Sequence, residues 1–574
     1  MYRLSTEYYK SIYREEAIET DVPQSQPADG DQLPNNAGGF SFQVDDVTRL
    51  RRFICLGSEG GTYYVKEQDL TLDNAKHIVK MIENGSGMQV IEVLEEMSLS
   101  GRAAKQNPTL FALALCARFS TEVLDQKSRT ELRRRAYESF PKVCRIPTHV
   151  FQFVEYCELI GKGKTTGWGR SHRTAIGNWY LDKDPKEVAI AVTKYKKRNN
   201  WSHRDLLRLS HPAPKLPEKL DHRDLFVYAV KGLEAVFDLK REEAKETNKE
   251  FDEKRKLSPA LAYVRASELL LKEENEIGAA VLINKYKLVR EHVPTQLLNS
   301  KLVWKALLEE MPMTAMLRNL SKMTSIELLK EKSEESRKIV SRLTNEEMLK
   351  KARIHPFNVL LAYYTYNSGH GDKGKLKWTP DQDIVKALNE SFYLSFKNVE
   401  PTGKRILIGL DVSGSMMSGI MGSSISCRAA SAALCMLYVR TEPLVQVMAF
   451  SDEFMPIQIE KTDSLEEVLR KTGDLPFAGT DCALPMLWAK QQKKEFDVFV
   501  VLTDNETWAG KIHPHVALKR YRSATGIRDA RLIVVGMTAT EFTIADPSDP
   551  FMLDVAGFDA AAPEVMRNFI LGLI

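Results

Sequence analysis

The residues best suited to chemistry in this 574-residue chain lie in Asp411-Val412-Ser413-Gly414-Ser415. Asp411, Ser413 and Ser415 alternate, so an extended backbone turns their side chains to one side. A carboxylate and two hydroxyls are hard oxygen donors suited to Mg2+ or another divalent cation; magnesium keeps near-octahedral geometry and several waters. Two more oxygen-rich loops lie downstream. Gly479-Thr480-Asp481 precedes a helix-like run, and Thr503-Asp504-Asn505-Glu506 ends the apolar run 496–502. The serines and Thr480 also have the chemistry of helix caps. Caps explain one loop at a time, whereas three such loops on one edge of one sheet favour a metal site. A phosphatase-type D-x-D pair needs a carboxylate where Ser413 stands, and no Ser–His nucleophile–base pair accompanies the motif. No catalytic residue is therefore assigned, and a magnesium-dependent hydrolase is the weakest of the readings.

Two basic, aromatic-interleaved segments carry a second kind of chemistry. Residues 162–180 hold Lys162, Lys164, Arg170, His172 and Arg173 with Trp168, Trp179 and Tyr180. Residues 194–211 hold Lys194, Lys196, Lys197, Arg198, His203, Arg204 and Arg208 with Tyr195 and Trp201. Cations neutralise phosphates and aromatic faces stack on unpaired bases. The helix that ends in KYKKR is expected to stop at Asn199-Asn200. The next should start at Ser202, with Asp205 completing a capping box. His203 and Arg204 then lie in a first turn, an arrangement that attracts phosphate. The competing reading puts the tryptophans in the core and the lysines on a solvated face; for His203 it is capping or packing. A third cluster, His370–Trp378, is basic and Gly-rich and also reads as an exposed loop. Gly57–Gly61 lacks the G-K-[ST] ending of a phosphate loop and reads as a turn.

These residues need elements to position them. After Pro401, the runs at 406–410, 445–450, 496–503 and 531–537 alternate with helical segments. That pattern predicts a mainly parallel sheet covered on both faces. Upstream, 70–87, 107–120, 184–198, 300–312 and 355–371 have apolar residues at helical spacing and Pro, Gly or Asn stops. They predict stacked antiparallel helix pairs in a HEAT-like solenoid. Residues 1–42 read as a disordered leader, and 239–256, almost wholly charged, as an exposed helix or linker. The expected domains are thus 1–42, 43–400 and 401–574. Residues 401–574 carry 17 Lys+Arg against 21 Asp+Glu, leaving 64 against 56 before them. The excess is too small to argue for nucleic acid without the local clusters. The chain shows no membrane span and no secretory start. Seven scattered cysteines without a C-x-x-C pair fit a reducing compartment and argue against a zinc site.

The strings VCRIPTHVF (143–151), YKKRNNWSHRDLLRLSH (195–211), WKALLEEMP (304–312) and ARIHPF (352–357), with GSEGGTYY (57–64), precede DVSGSM (411–416) and GTDC (479–482). Together they resemble the sixty-kilodalton Ro autoantigen family over about residues 43–574. The resemblance implies a TROVE domain, a HEAT-like all-α ring, closed by a C-terminal doubly wound α/β von Willebrand factor A-like domain. It implies Ser413, Ser415 and Thr480 as direct ligands of Mg2+ or another divalent cation, Asp411 and Asp504 acting through waters, and one position open to a partner's carboxylate. It further implies a non-catalytic ribonucleoprotein component that binds Y RNAs on the outer face of the ring. Misfolded noncoding RNAs, such as defective 5S rRNA precursors, would send single-stranded ends into the hole, a role in RNA quality control and stability. In that family His203 would be a Y RNA contact. The expected protein is a monomer, cytoplasmic with a nuclear pool, bound neither to DNA nor to membrane. The alternative is a metal-dependent protein-interaction scaffold. The leader and the charged stretch Arg129–Arg135 depart from the family pattern.

Overall fold

A computed structural model describes residues 21–573, apart from 57–74, 104, 120–121, 163–166, 247–256, 372–374, 397–399, 421–422, 424, 474, 476–478 and 559–560. From Asp46 to Leu394 the described residues are mainly helical. Local chemistry sets many of the helix starts. Asp125, Asp184, Ser258, Ser300, Ser333 and Asp381 each accept a first-turn N–H through their side chains. Pro147, Pro185, Pro259 and Pro356 open their helices with a preset φ. Successive helices pack on one another around one long apolar core, with Phe111, Phe140, Phe153 and Trp304 fully buried in it.

The helical array closes on itself. His355 Nε2 lies 3.0 Å from the Arg102 carbonyl across 253 positions, and Gly101 packs on the Arg353 side chain. The C-terminal domain spans this seam. On one side the helix Asp46–Leu56 packs against the first helices of the ring and inserts Arg52 into the domain. Arg52 is 1% exposed. It pairs with both oxygens of Asp554 and donates through Nη1 to the carbonyls of Thr540 and Phe542 at 2.8 and 2.9 Å. On the other side Phe357 meets Phe558 edge-on, and the Arg440 guanidinium lies 4.0 Å from the Tyr393 ring.

The C-terminal domain is a doubly wound α/β sheet. Its strands are β5 (Ile406–Asp411), β6 (Val445–Phe450), β7 (Phe454–Pro456), β8 (Val498–Thr503), β9 (Arg531–Gly536) and β11 (Met552–Ala556). They lie in the order β11-β9-β8-β5-β6-β7, all parallel except β7. Ile406, Ile408 and Leu410 face the helix Cys427–Thr441 side, and Leu407, Phe499 and Val501 face Leu484–Gln491 and Pro514–Thr525. The remaining strands are β1 (Gln32–Pro34) and β2 (Phe40–Gln43), β3 (Lys197–Arg198) and β4 (Trp201–Ser202), and β10 (Phe542–Thr543).

The expected disordered leader does not hold for residues 21–42. They are ordered against the C-terminal domain: β1 pairs with β2, and β2 pairs with β10. The segment is polar because its amide side chains bond to distant loops, a use of polarity that composition cannot separate from disorder. Residues 1–20, the run Gly57–Gly61 and most of the charged stretch after Glu246 lie outside the described residues.

Candidate metal centre and nucleic-acid interface

Asp411 ends β5, and Gly414–Met417 turns away at once as a short 3-10 helix. Asp411 Oδ1 accepts from Ser413 N at 2.9 Å, and Oδ2 accepts from Thr503 Oγ1 at 2.6 Å. Ser413 and Ser415 follow with their hydroxyl oxygens 3.1 Å apart. The parallel neighbour β8 ends beside β5 and delivers Asp504. Asn505 takes the left-handed backbone there, at φ 67°, and its side chain accepts from Ile544 N at 3.2 Å. Thr480 arrives on a loop sewn to this one: its carbonyl accepts from Trp508 N and Ala509 N at 3.0 and 2.9 Å. The three loops expected to meet at one sheet edge do meet there.

Asp411, Ser413, Ser415, Thr480 and Asp504 are each at most 2% exposed. Burial raises the Asp411 carboxyl above its usual range. It raises Asp504 further, helped by the neighbouring charges of Asp411 and Glu506, and pushes Glu506 up to about 7. Arg428, donating to the Val412 carbonyl, is the cation that opposes this for Asp411. Thr480 Oγ1 and Asp504 Oδ2 are buried with no hydrogen-bond partner among the described residues. Buried, unpaired oxygens beside crowded carboxylates fit a divalent cation, which would satisfy both deficits. Among the described residues no three His, Cys, Asp or Glu side chains converge as metal ligands.

The basic segments resolve into three groups. Lys194, Lys196, Lys197 and Arg198 line a central cavity of about 1240 Å³. The helix before them ends at Lys194, earlier than expected, and β3 and β4 form a tight hairpin. Its turn is Asn199-Asn200, both at positive φ, as a type I′ hairpin turn requires. Lys162, Arg170, Arg173, Arg204 and Arg208 are exposed away from that wall. His172 and His203 are interior, which corrects the expectation of direct RNA contact. His172 Nδ1 lies 3.0 Å from the Tyr137 hydroxyl under Trp168, and His203 Nδ1 lies 2.7 Å from the Tyr180 hydroxyl. Burial pushes their imidazoles down to about 3 and about 4. The expected capping box at Ser202 and Asp205 is present. Trp168 and Trp201 pack on each other at 5.9 Å, joining the two segments. In the third cluster Trp378 is core, stacked on Tyr366, while 372–374 lie outside the described residues, as does Lys164.

The cavity also gathers cations that sequence reading missed: Arg145, Lys287, Arg290, Arg318 and Arg353. With the four above, nine Lys/Arg face Glu291 and Glu310 as the only acids on the described wall. The crowding registers chemically. Arg145 is pushed down by burial and by Arg353, and His149 is pushed down to about 4 by burial and Arg145. A cavity with this balance concentrates polyanions.

Two family models match the chain: the TROVE domain over residues 33–365 and the Ro60 vWA domain over residues 405–570. The chain is 43% identical over 586 aligned residues to RNA-binding protein RO60 of Caenorhabditis elegans, covering 95% of this chain and 90% of that protein. It is 36% identical to RNA-binding protein RO60 of Deinococcus radiodurans, covering 96% and 97%. The crystal structure of the Deinococcus radiodurans RO (RSR) protein superposes with a TM-score of 0.67 at 35% identity, covering 92% of this chain and all of that one.

Proposed function

The chain belongs to the Ro60 family of TROVE-domain RNA-binding proteins, and from that premise we propose that it binds single-stranded RNA ends inside its ring. The observation that carries this reading is the cavity wall, nine cations against two acids. Single strands bind such grooves through backbone charge and tolerant stacking, and Tyr195 on the wall offers an aromatic face. Misfolded noncoding RNAs with unpaired ends, such as defective 5S rRNA precursors, are the proposed substrates there. Y RNAs are the proposed ligands of the outer basic face that carries Lys162, Arg170, Arg173, Arg204 and Arg208. The role is RNA quality control and stability, non-catalytic, by a monomer in the cytoplasm with a nuclear pool.

The metal edge supports a second, separate reading, a metal-dependent scaffold, favoured by the unpaired oxygens of Thr480 and Asp504. Ser413, Ser415 and Thr480 would hold Mg2+ directly, with Asp411 and Asp504 acting through water. Bound there, the ion would offset the buried carboxylates and offer a position to an acidic protein ligand.

Photocrosslinking with a 4-thiouridine tail tests the first reading. Crosslinks are expected in peptides containing 194–198, 287–290 and 353–358. Crosslinks confined to peptides outside the cavity wall would overturn it.

A further inference from the structure

The polar segment 21–43 lies across the loops that carry Thr480 and Asp504. Gln24, completely buried, is its deepest anchor. Its Nε2 donates to Asp481 Oδ1 at 2.8 Å and to the Ile512 carbonyl at 2.7 Å, and its Oε1 accepts from Thr507 Oγ1. One amide thus bridges the two loops from outside. Asn35 Nδ2 donates to the Thr507 carbonyl at 2.7 Å. Asn36 Nδ2 and Ala37 N donate to the two oxygens of buried Glu506 at 2.9 and 3.1 Å. At Gly39 and Gly510 the facing chains come so close that a Cβ has no room. Behind these contacts the segment is pinned more firmly: β2 pairs with β10, and Phe42, 2% exposed, packs edge-on against His515.

Ligands enter open α/β sheets at the carboxyl ends of the strands. Here that edge is closed, with all five proposed metal residues at most 2% exposed. We propose that residues 24–38 are a built-in shutter over the metal edge, hinged at β2, which must lift before an ion exchanges or a partner's carboxylate reaches it. This rests on the metal reading of that edge. The shutter is suited to lifting because its grip comes largely from hydrogen bonds of Gln24, Asn35, Asn36 and Ala37. A segment with few apolar anchors opens locally at less free energy than the core.

The test uses the full chain loaded with Mn2+. Release of the ion into excess EDTA is timed, and hydrogen exchange of the 24–40 amides is followed in parallel. Asn35→Ala with Asn36→Ala removes four hydrogen bonds: Asn35 Nδ2 to the Thr507 carbonyl, Ala37 N and Gly39 N to Asn35 Oδ1, and Asn36 Nδ2 to the Glu506 carboxylate. The pair should speed both release and amide exchange by about tenfold or more, with binding stoichiometry unchanged. Asn36→Ala alone, which loses only the Glu506 bond, should give a smaller change in the same direction and serves if the double variant does not fold. Faster amide exchange with unaltered Mn2+ release overturns the shutter and leaves the metal site standing. If the wild-type chain shows no Mn2+ binding that Ser413→Ala with Ser415→Ala abolishes, the metal reading falls and the shutter with it.

Discussion

Replacing Lys196, Lys197 and Arg198 with glutamine tests the cavity through its salt dependence. All three are exposed on or beside the β3–β4 hairpin, so the fold should tolerate the change. Each phosphate neutralised on a single strand contributes about 0.7 to the slope of log K against log salt. Lys196 is already paired with Glu268 at 3.1 Å and starts partly neutralised; among the described residues no ion pair ties Lys197 or Arg198 in the same way. The expected loss of slope is therefore between about 1.4, from two full contacts, and about 2.1, from three. Between about 50 and about 200 mM salt, the wild-type affinity should fall roughly 7- to 20-fold more than that of the variant. Fluorescence anisotropy with a duplex bearing a labelled single-stranded tail measures this. The same duplex without a tail should show no difference between the two proteins. A variant that keeps the wild-type slope for the tailed RNA, while melting at the wild-type temperature, would refute the assignment of this wall.

Arg52→Met leaves the largely enclosed Asp554 without its cation, held only by Thr543 Oγ1, and should destabilise the chain by about 3 kcal/mol, read as a lower thermal midpoint; a midpoint within a degree of wild type contradicts the account of the seam. Ser413→Ala with Ser415→Ala should abolish Mn2+ binding by calorimetry yet leave tailed-RNA affinity within about twofold, and a parallel loss of RNA binding would show that the two sites are not separate. His149, His203, His292 and His515 are each held down to about 4 by burial first, and His172 to about 3. Their folded values lie below the unfolded value near 6.5, so stability is full above about pH 6.5 and is lost as pH falls toward 4; by pH 5 each fully buried ring costs about 2 kcal/mol. Urea midpoints that stay flat from pH 7 to pH 5 would contradict this.

The convergence of Asp411, Ser413, Ser415 and Asp504 was legible in the sequence because its information is local. Asp411, Ser413 and Ser415 sit within five residues at a strand end, and parallel β5 and β8 bring Asp504 alongside without any further assumption. The shutter was illegible for the opposite reason: Gln24 finds its partner Asp481 457 positions away, and nothing near it distinguishes a buried amide from a solvated one. The helical architecture was readable from caps and apolar spacing, but the cavity was only half visible. Lys194–Arg198 form a run, whereas Arg145, Lys287, Arg290 and Arg353 occur singly or in a pair near separate helix ends and Arg318 lies within a helix. Only closure of the array collects them. His203 and His172 misled because a basic neighbourhood in sequence says nothing about which way a side chain turns; Tyr180 and Tyr137 supply the interior partners that hold them.

That closure has an energetic consequence. Arg145 and Arg353 face each other across the seam, and each further cation on the wall adds repulsion that favours an open ring. The opposing contacts are His355 on the Arg102 carbonyl and, through the C-terminal domain, Arg52 on Asp554 and Phe357 on Phe558. The seam is therefore under electrostatic load when the cavity is empty. A polyanion in the hole screens those cations and relieves the load, so it binds the closed ring better than an opened one, and by linkage it must also stabilise closure. The charges proposed to recognise a single-stranded end would then also help the ring hold it. On that proposal, the anchoring of the α/β domain on both sides of the seam would contribute to RNA binding along with the cavity wall.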